Sequence, residues 1–152
     1  METIQEMMVS TVSHNTRAVC AGIFVSFMIE YPLEQKRLEQ HINHMLKNLS
    51  YFDPVGRLQL LDTLQTLVEK FPQKLLDTFT ELFFFTLFLR MVNDDEPKCR
   101  AKIVSVMSKI AQKTALSRQL IETVFKMQLK AEDNAKADFM LQGKLQMVQI
   151  FA

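Results

Sequence analysis

The sequence predicts an all-α protein built from stacked helix pairs, and three observations carry that reading. Only three Gly and four Pro occur in 152 residues, too little turn chemistry for a many-stranded β fold. Apolar residues recur at helical spacing through most segments. The chain also aligns with itself, without a gap, after a shift of 43 residues. At 48% hydrophobic and 23% charged, the composition argues against global disorder. A single domain of this length buries about 70% of its unfolded surface.

Each element has its own signal. Arg17 follows a polar turn (Ser13, His14, Asn15) and opens a helix over about 15–30. Residues 18–29 have the crude look of a secretory h-region, but Glu30, Tyr31 and Pro32 stand where a small-residue cleavage site would be. After Pro32, Leu38, Ile42, Met45, Leu46 and Leu49 mark an amphipathic helix. Asp53-Pro54 opens a helix to about Lys70, where Phe71-Pro72 stops it. Residues 75–92 are apolar on nearly every side and predict a helix sandwiched between neighbours. Their most apolar run, 82–89, lies between Glu81 and Arg90 and falls far short of the ~20 residues a bilayer requires.

Asn93, Asp94 and Asp95 offer capping oxygens ahead of Pro97. Cys99, Ile103, Val106, Met107 and Ile110 then trace one helix face. Weaker patterns suggest helices over about 117–131 and from Lys144 onward, the last with Val148, Ile150 and Phe151 exposed. The total is about eight helices in four pairs. The approximate repeats are 1–30, 33–71, 73–113 and an incomplete 117–152.

The self-match has chemical content. Residues 47–70 fall on 90–113, with Pro54 on Pro97, Arg57 on Arg100 and Lys70 on Lys113. Leu60, Leu61, Leu64 and Leu67 meet Ile103, Val104, Met107 and Ile110, and Arg17 lies 40 residues before Arg57. A period near 40–47 with two helices per unit is the HEAT and armadillo range, so the expected fold is a HEAT-like α-solenoid. An inward arginine near each second helix's start would reach the acidic turn of an adjacent unit. Arg17, Arg57 and Arg100, with Asp94 and Asp95, are the expected ladder along the stack.

The search for catalytic chemistry returns little. Gly22, Gly56 and Gly143 form no phosphate loop or dinucleotide fingerprint. No nucleophile elbow or catalytic-cysteine motif is present. His41 and His44 sit at i, i+3, a spacing open to a metal, without recognisable partner ligands. Cys20 and Cys99 give no disulfide framework. The expectation is a protein that is not an enzyme, has no cofactor and no small-molecule substrate, and does not enter a membrane.

The net charge of +1 hides an asymmetry, since residues 98–144 hold ten basic residues against four acidic ones. Lys98, Lys102, Lys109 and Lys113 share one helix face, read as opposite core positions such as Ile103 and Val106. That stripe is a solvated face or a surface for RNA phosphates. No aromatic platform interleaves it, which weakens single-strand recognition.

Several ordered strings also carry a resemblance. Tyr31-Pro32-Leu33, Lys36-Arg37-Leu38, Asn48-Leu49-Ser50-Tyr51 and Gly56-Arg57 are followed by Lys70-Phe71-Pro72, Leu82-Phe83-Phe84, Asn93-Asp94-Asp95 and Cys99-Arg100. Over about residues 17–111 this set resembles the Down-Regulated-In-Metastasis family of small-subunit processome component 20 homologues. Glu34 departs from the family's usual Gly after Tyr-Pro-Leu.

The resemblance implies a HEAT-repeat scaffold of the nucleus and nucleolus. Such a scaffold serves precursor ribosomal RNA processing and small ribosomal subunit biogenesis. It implies pre-ribosomal particle proteins as partners, with precursor ribosomal RNA or a small nucleolar RNA as further ones. It also implies that this chain is a fragment of a much longer protein. The competing expectations are a HEAT adaptor of the transport-receptor or phosphatase-scaffold type, and a direct RNA-binding module using the basic region 98–144.

Overall fold

The computed structural model describes residues 1–126, together with Leu145, Val148 and Ile150. Among the described residues all regular structure is helical. It comprises α1 (Glu2–Ser10), α2 (His14–Glu30), α3 (Gln35–Lys47), a short 3₁₀ turn (Asn48–Ser50), α4 (Pro54–Lys70), α5 (Gln73–Asn93), α6 (Pro97–Lys113) and α7 (Ser117–Lys126). Connections of a few residues join successive helices, as the predicted helix-pair architecture requires. The predicted all-α, solenoid-like class is the one observed.

The chain divides into two compact units, Met1–Phe71 and Pro72–Ala152. In the first, α1 packs on α2, α3 and α4, and α2 packs on α4. Its buried residues include Met8, Phe24, Ile42, Met45, Leu60 and Leu64. Residues 18–29, the stretch that looked like an h-region, form α2, and its Cys20, Ala21, Phe24, Val25 and Met28 are buried. Gly56 explains how closely α1 and α4 approach. A Cβ built at Gly56 would stand 2.5 Å from the Val9 carbonyl oxygen and 3.0 Å from the Val9 Cα.

In the second unit α5 packs on α6. Phe79, Phe83, Phe84, Leu87 and Phe88 of α5 are buried, as are Cys99, Ile103, Val106, Met107 and Ile110 of α6. α5, apolar on nearly every side, is not buried on every side. Its buried residues follow the i, i+3/i+4 spacing of one broad face. Phe85 and Leu82 are half-buried, and Leu89 is 55% exposed. Among the described residues no helix is long and apolar enough to cross a membrane.

Two boundaries differ from the sequence reading. Leu49 lies in the 3₁₀ turn after α3 rather than in the helix. The cap of α6 is Glu96, whose carboxylate accepts from the Lys98 N–H, while Asp94 accepts from the Glu96 N–H inside the turn. α7 is described to Lys126, and the rest of the expected 117–131 helix and most of the helix after Lys144 lie outside the described residues. Of the expected exposed terminal positions, Val148 is 53% exposed but Ile150 is buried at 6%; Phe151 lies outside the described residues.

Candidate interaction site: arginine-closed turns and the lysine stripe

α2, α4 and α6 are each 17 residues long. Each starts behind a capping side chain: Ser13 accepts from Thr16 N–H, Asp53 from Val55 N–H and Glu96 from Lys98 N–H. Such caps satisfy orphan donors of the first turn. Pro54 and Pro97 begin α4 and α6, where the missing N–H costs nothing.

Three residues further on stand Arg17, Arg57 and Arg100. Every one donates from Nη1 to a main-chain carbonyl of the turn it follows. Arg17 bonds the Thr11 oxygen. Arg57 bonds the Tyr51 and Phe52 oxygens at 2.9 and 3.0 Å. Arg100 bonds the Asp94 oxygen at 2.8 Å. The arginine therefore returns across its own turn, six residues back, and closes it. Arg17 and Arg57 are buried at 7% and 4% exposure, and Arg100 is half-buried. A charged donor on carbonyls stripped of water is the strong class of hydrogen bond.

Asp94 is 5% exposed and organises its turn further. Its carboxylate accepts from Arg90 at 3.2 Å and from the Glu96 N–H at 3.0 Å. Asp95, the other acid expected in the ladder, is exposed. Sequence reasoning found these five residues but not the acceptors of the arginines, because a main-chain carbonyl leaves no trace in side-chain pattern.

The lysine stripe is placed differently from the expectation. Successive helical positions advance about 100°, so Lys98, Lys102, Lys109 and Lys113 do share a face of α6. That face borders the buried one carrying Cys99, Val106 and Ile110 rather than opposing it. Accordingly Lys102, Lys109 and Lys113 are half-buried, and each already has a partner. Lys98 is exposed.

No family model matches the chain. Two curated proteins do. One, from Schizosaccharomyces pombe, is 30% identical over 113 residues, 74% of this chain, and is named U3 small nucleolar RNA-associated protein 20. The other, from Saccharomyces cerevisiae, bears the same name and is 29% identical over 135 residues, 88% of this chain. The chain is homologous to both. It spans only 4% and 5% of their lengths. The resemblance expected from the ordered strings is thus matched by homology over most of the chain, including a stretch of the basic third where no string was diagnostic.

A polar cluster that the sequence did not reveal ties α5 to the end of α6. Thr114 donates to Asp77 Oδ1 at 2.6 Å and accepts from Thr80 at 3.2 Å and from the Leu116 N–H at 3.1 Å. Asp77 also accepts from the Ala115 N–H at 3.1 Å. The bonds from Asp77 and Thr80 to Thr114 and Ala115 join residues 34 to 38 apart, beyond any local periodicity. The arrangement is structural: it satisfies the main chain between α6 and α7.

His41 and His44 both lie on α3. His41 meets the Phe27 ring edge-on at 5.4 Å, and burial, more than neighbouring charge, pushes its pKa below the ordinary histidine value. Among the described residues no three His, Cys, Asp or Glu side chains gather as metal ligands. Cys20 and Cys99 are buried free thiols.

Proposed function

We propose that this chain is a non-catalytic helical-repeat scaffold acting in precursor ribosomal RNA processing and small ribosomal subunit biogenesis, in the nucleolus. The observation that carries this reading is the 30% identity over 113 residues to U3 small nucleolar RNA-associated protein 20. Its partners on this reading are other proteins of the pre-ribosomal particle, together with a small nucleolar RNA or precursor ribosomal RNA. The role is architectural: turns closed by buried arginines give stiff helix pairs, and stiff pairs present extended surfaces. Tagging the chain and measuring recovery of U3 RNA and nucleolar position tests it. Co-purification with U3 RNA is expected, and its absence from nucleolar particles would remove the reading.

The inter-repeat ladder belongs to the same proposal. Its members on this reading are Arg17, Arg57 and Arg100, with Asp94 and Asp95 as the acids. A double-mutant cycle on Arg57 and Asp94 should give a coupling of about 1 kcal/mol or more if the ladder operates.

A second reading rests on exposed Lys98 and the basic excess of residues 98–144, which suit RNA phosphates. Binding of the chain to U3 RNA should then weaken with salt, at a log–log slope of about −0.7 per neutralised phosphate. A flat salt response would remove direct RNA contact and leave the scaffold.

A further inference from the structure

The three equivalent helices end on different charges. Under the shifts that superpose Arg17, Arg57 and Arg100, the last residues of α2, α4 and α6 also coincide: Glu30, Lys70 and Lys113. A cation in the last turn answers the partial negative charge of a helix C-terminus. α4 and α6 carry that cation, whereas α2 has no basic residue in its last turn and ends on an acid.

Next to Glu30 lies a groove of about 240 Å³ lined by Ser26, Phe27, Glu30 and Tyr31. Phe27 and Tyr31 stack at 5.3 Å with an interplanar angle of 19°, and Tyr31 is 56% exposed. Glu30 is exposed and makes no hydrogen bond or ion pair through its side chain with any described residue. The basic residues just beyond it, Lys36 and Arg37, are exposed and form no ion pair with it.

Three attractions for positive charge therefore meet at one place: a carboxylate, the carbonyl end of a helix, and an open aromatic face. A planar guanidinium uses all three, since it stacks on a ring while pairing with a carboxylate. A phosphate would be repelled. We propose that this groove at the C-terminus of α2 is a docking site for an arginine side chain presented by a protein partner. His41, which meets the Phe27 ring edge-on, is held below its usual pKa chiefly by burial.

The chain has two Tyr and no Trp, so in a Tyr51→Phe background Tyr31 is the single reporter of emission. The full chain is titrated with the blocked peptide acetyl-Gly-Arg-Gly-amide and with its citrulline counterpart, which keeps the shape and loses the charge. A saturable change in Tyr31 emission is expected with the arginine peptide. Binding should be about tenfold weaker for the citrulline peptide, and again about tenfold weaker in Glu30→Lys, the equivalent of about 1.4 kcal/mol. Glu30→Lys installs the residue type of Lys70 and Lys113 at an exposed position, and an unchanged helical melt checks its fold. Absence of saturable binding, equal affinity for the two peptides, or equal affinity in Glu30→Lys would overturn the proposal. So would tighter binding of oligouridylate, because that assigns the aromatic face to bases.

Discussion

α4 and α6 begin alike, with an acidic cap, a proline and then an arginine that closes the turn, yet the two turns are secured by different means. The turn before α4 relies on Arg57, which is buried and spans two carbonyls, Tyr51 and Phe52. The turn before α6 spreads the same task over Arg100, Asp94 and Arg90, with the Asp94 side chain taking two donors. The residue ahead of each arginine differs too. Gly56 admits the main chain of α1, whereas Cys99 is itself fully buried. Identical register thus permits distinct packing: sequence repetition sets where helices start, and local volumes decide what they touch.

The largest expected effect breaks that comparison at its tightest contact. Gly56→Ala places a methyl 2.5 Å from a main-chain oxygen, and no side-chain rotation can relieve it. α1 must shift away from α4, at a cost of about 3 kcal/mol, the upper part of the overpacking range. Chemical denaturation of the variant checks this, and loss of less than about 1 kcal/mol would mean that α1 adapts freely.

The arginines rank next and separate the two turns directly. Arg57→Ala strands two carbonyls and should cost about 2 to 3 kcal/mol, in the range of hydrogen bonds to charged groups. Arg100→Ala should cost about 1 kcal/mol, because Asp94 still bonds Arg90 and the Glu96 N–H. Equal losses would show that the redundancy around Asp94 carries no weight. Arg57→Lys should restore part of the lost stability, since both bonds come from the one nitrogen Nη1 and a single ammonium has donors for both carbonyls.

Thr114→Val probes the polar cluster on the other side of α6. It leaves the Leu116 N–H without its acceptor and Asp77 with only the Ala115 N–H. The expected loss is about 1 to 2 kcal/mol, read from the thermal midpoint. Amide exchange should rise first at Leu116, whose main-chain donor is freed, and not at Ala115, which keeps Asp77.

Much of this was legible in the residues. Pro54, Pro97 and the three arginines set the register, and the register located the helices. Glu30 was legible as well: the same alignment places an acid over Lys70 and Lys113. Gly56 was not, because a glycine in a helix gives no sign of what approaches it from nine residues into the chain. Asp77 and Thr114 were hidden for a related reason, since their meeting depends on how α5 lies along α6 and on no periodicity within either. The lysine stripe was legible as a face but misplaced against the core. A helical wheel says which residues share a side, whereas burial depends on how wide the packed face turns out to be.

Gly22 offers the smallest and most discriminating test. It lies within α2, in the same unit as Gly56, and a Cβ there meets nothing within 4 Å. Helical glycine carries an entropic penalty relative to alanine of about 0.5 to 1 kcal/mol. Gly22→Ala should therefore stabilise the chain by that amount while Gly56→Ala destabilises it, with opposite shifts in the denaturation midpoint. The double variant should show the sum of the two effects, because the positions share no partner. A stabilisation lost in the double variant would mean that α2 is repacked when α1 moves, and that the first unit's helices respond as one body rather than pair by pair.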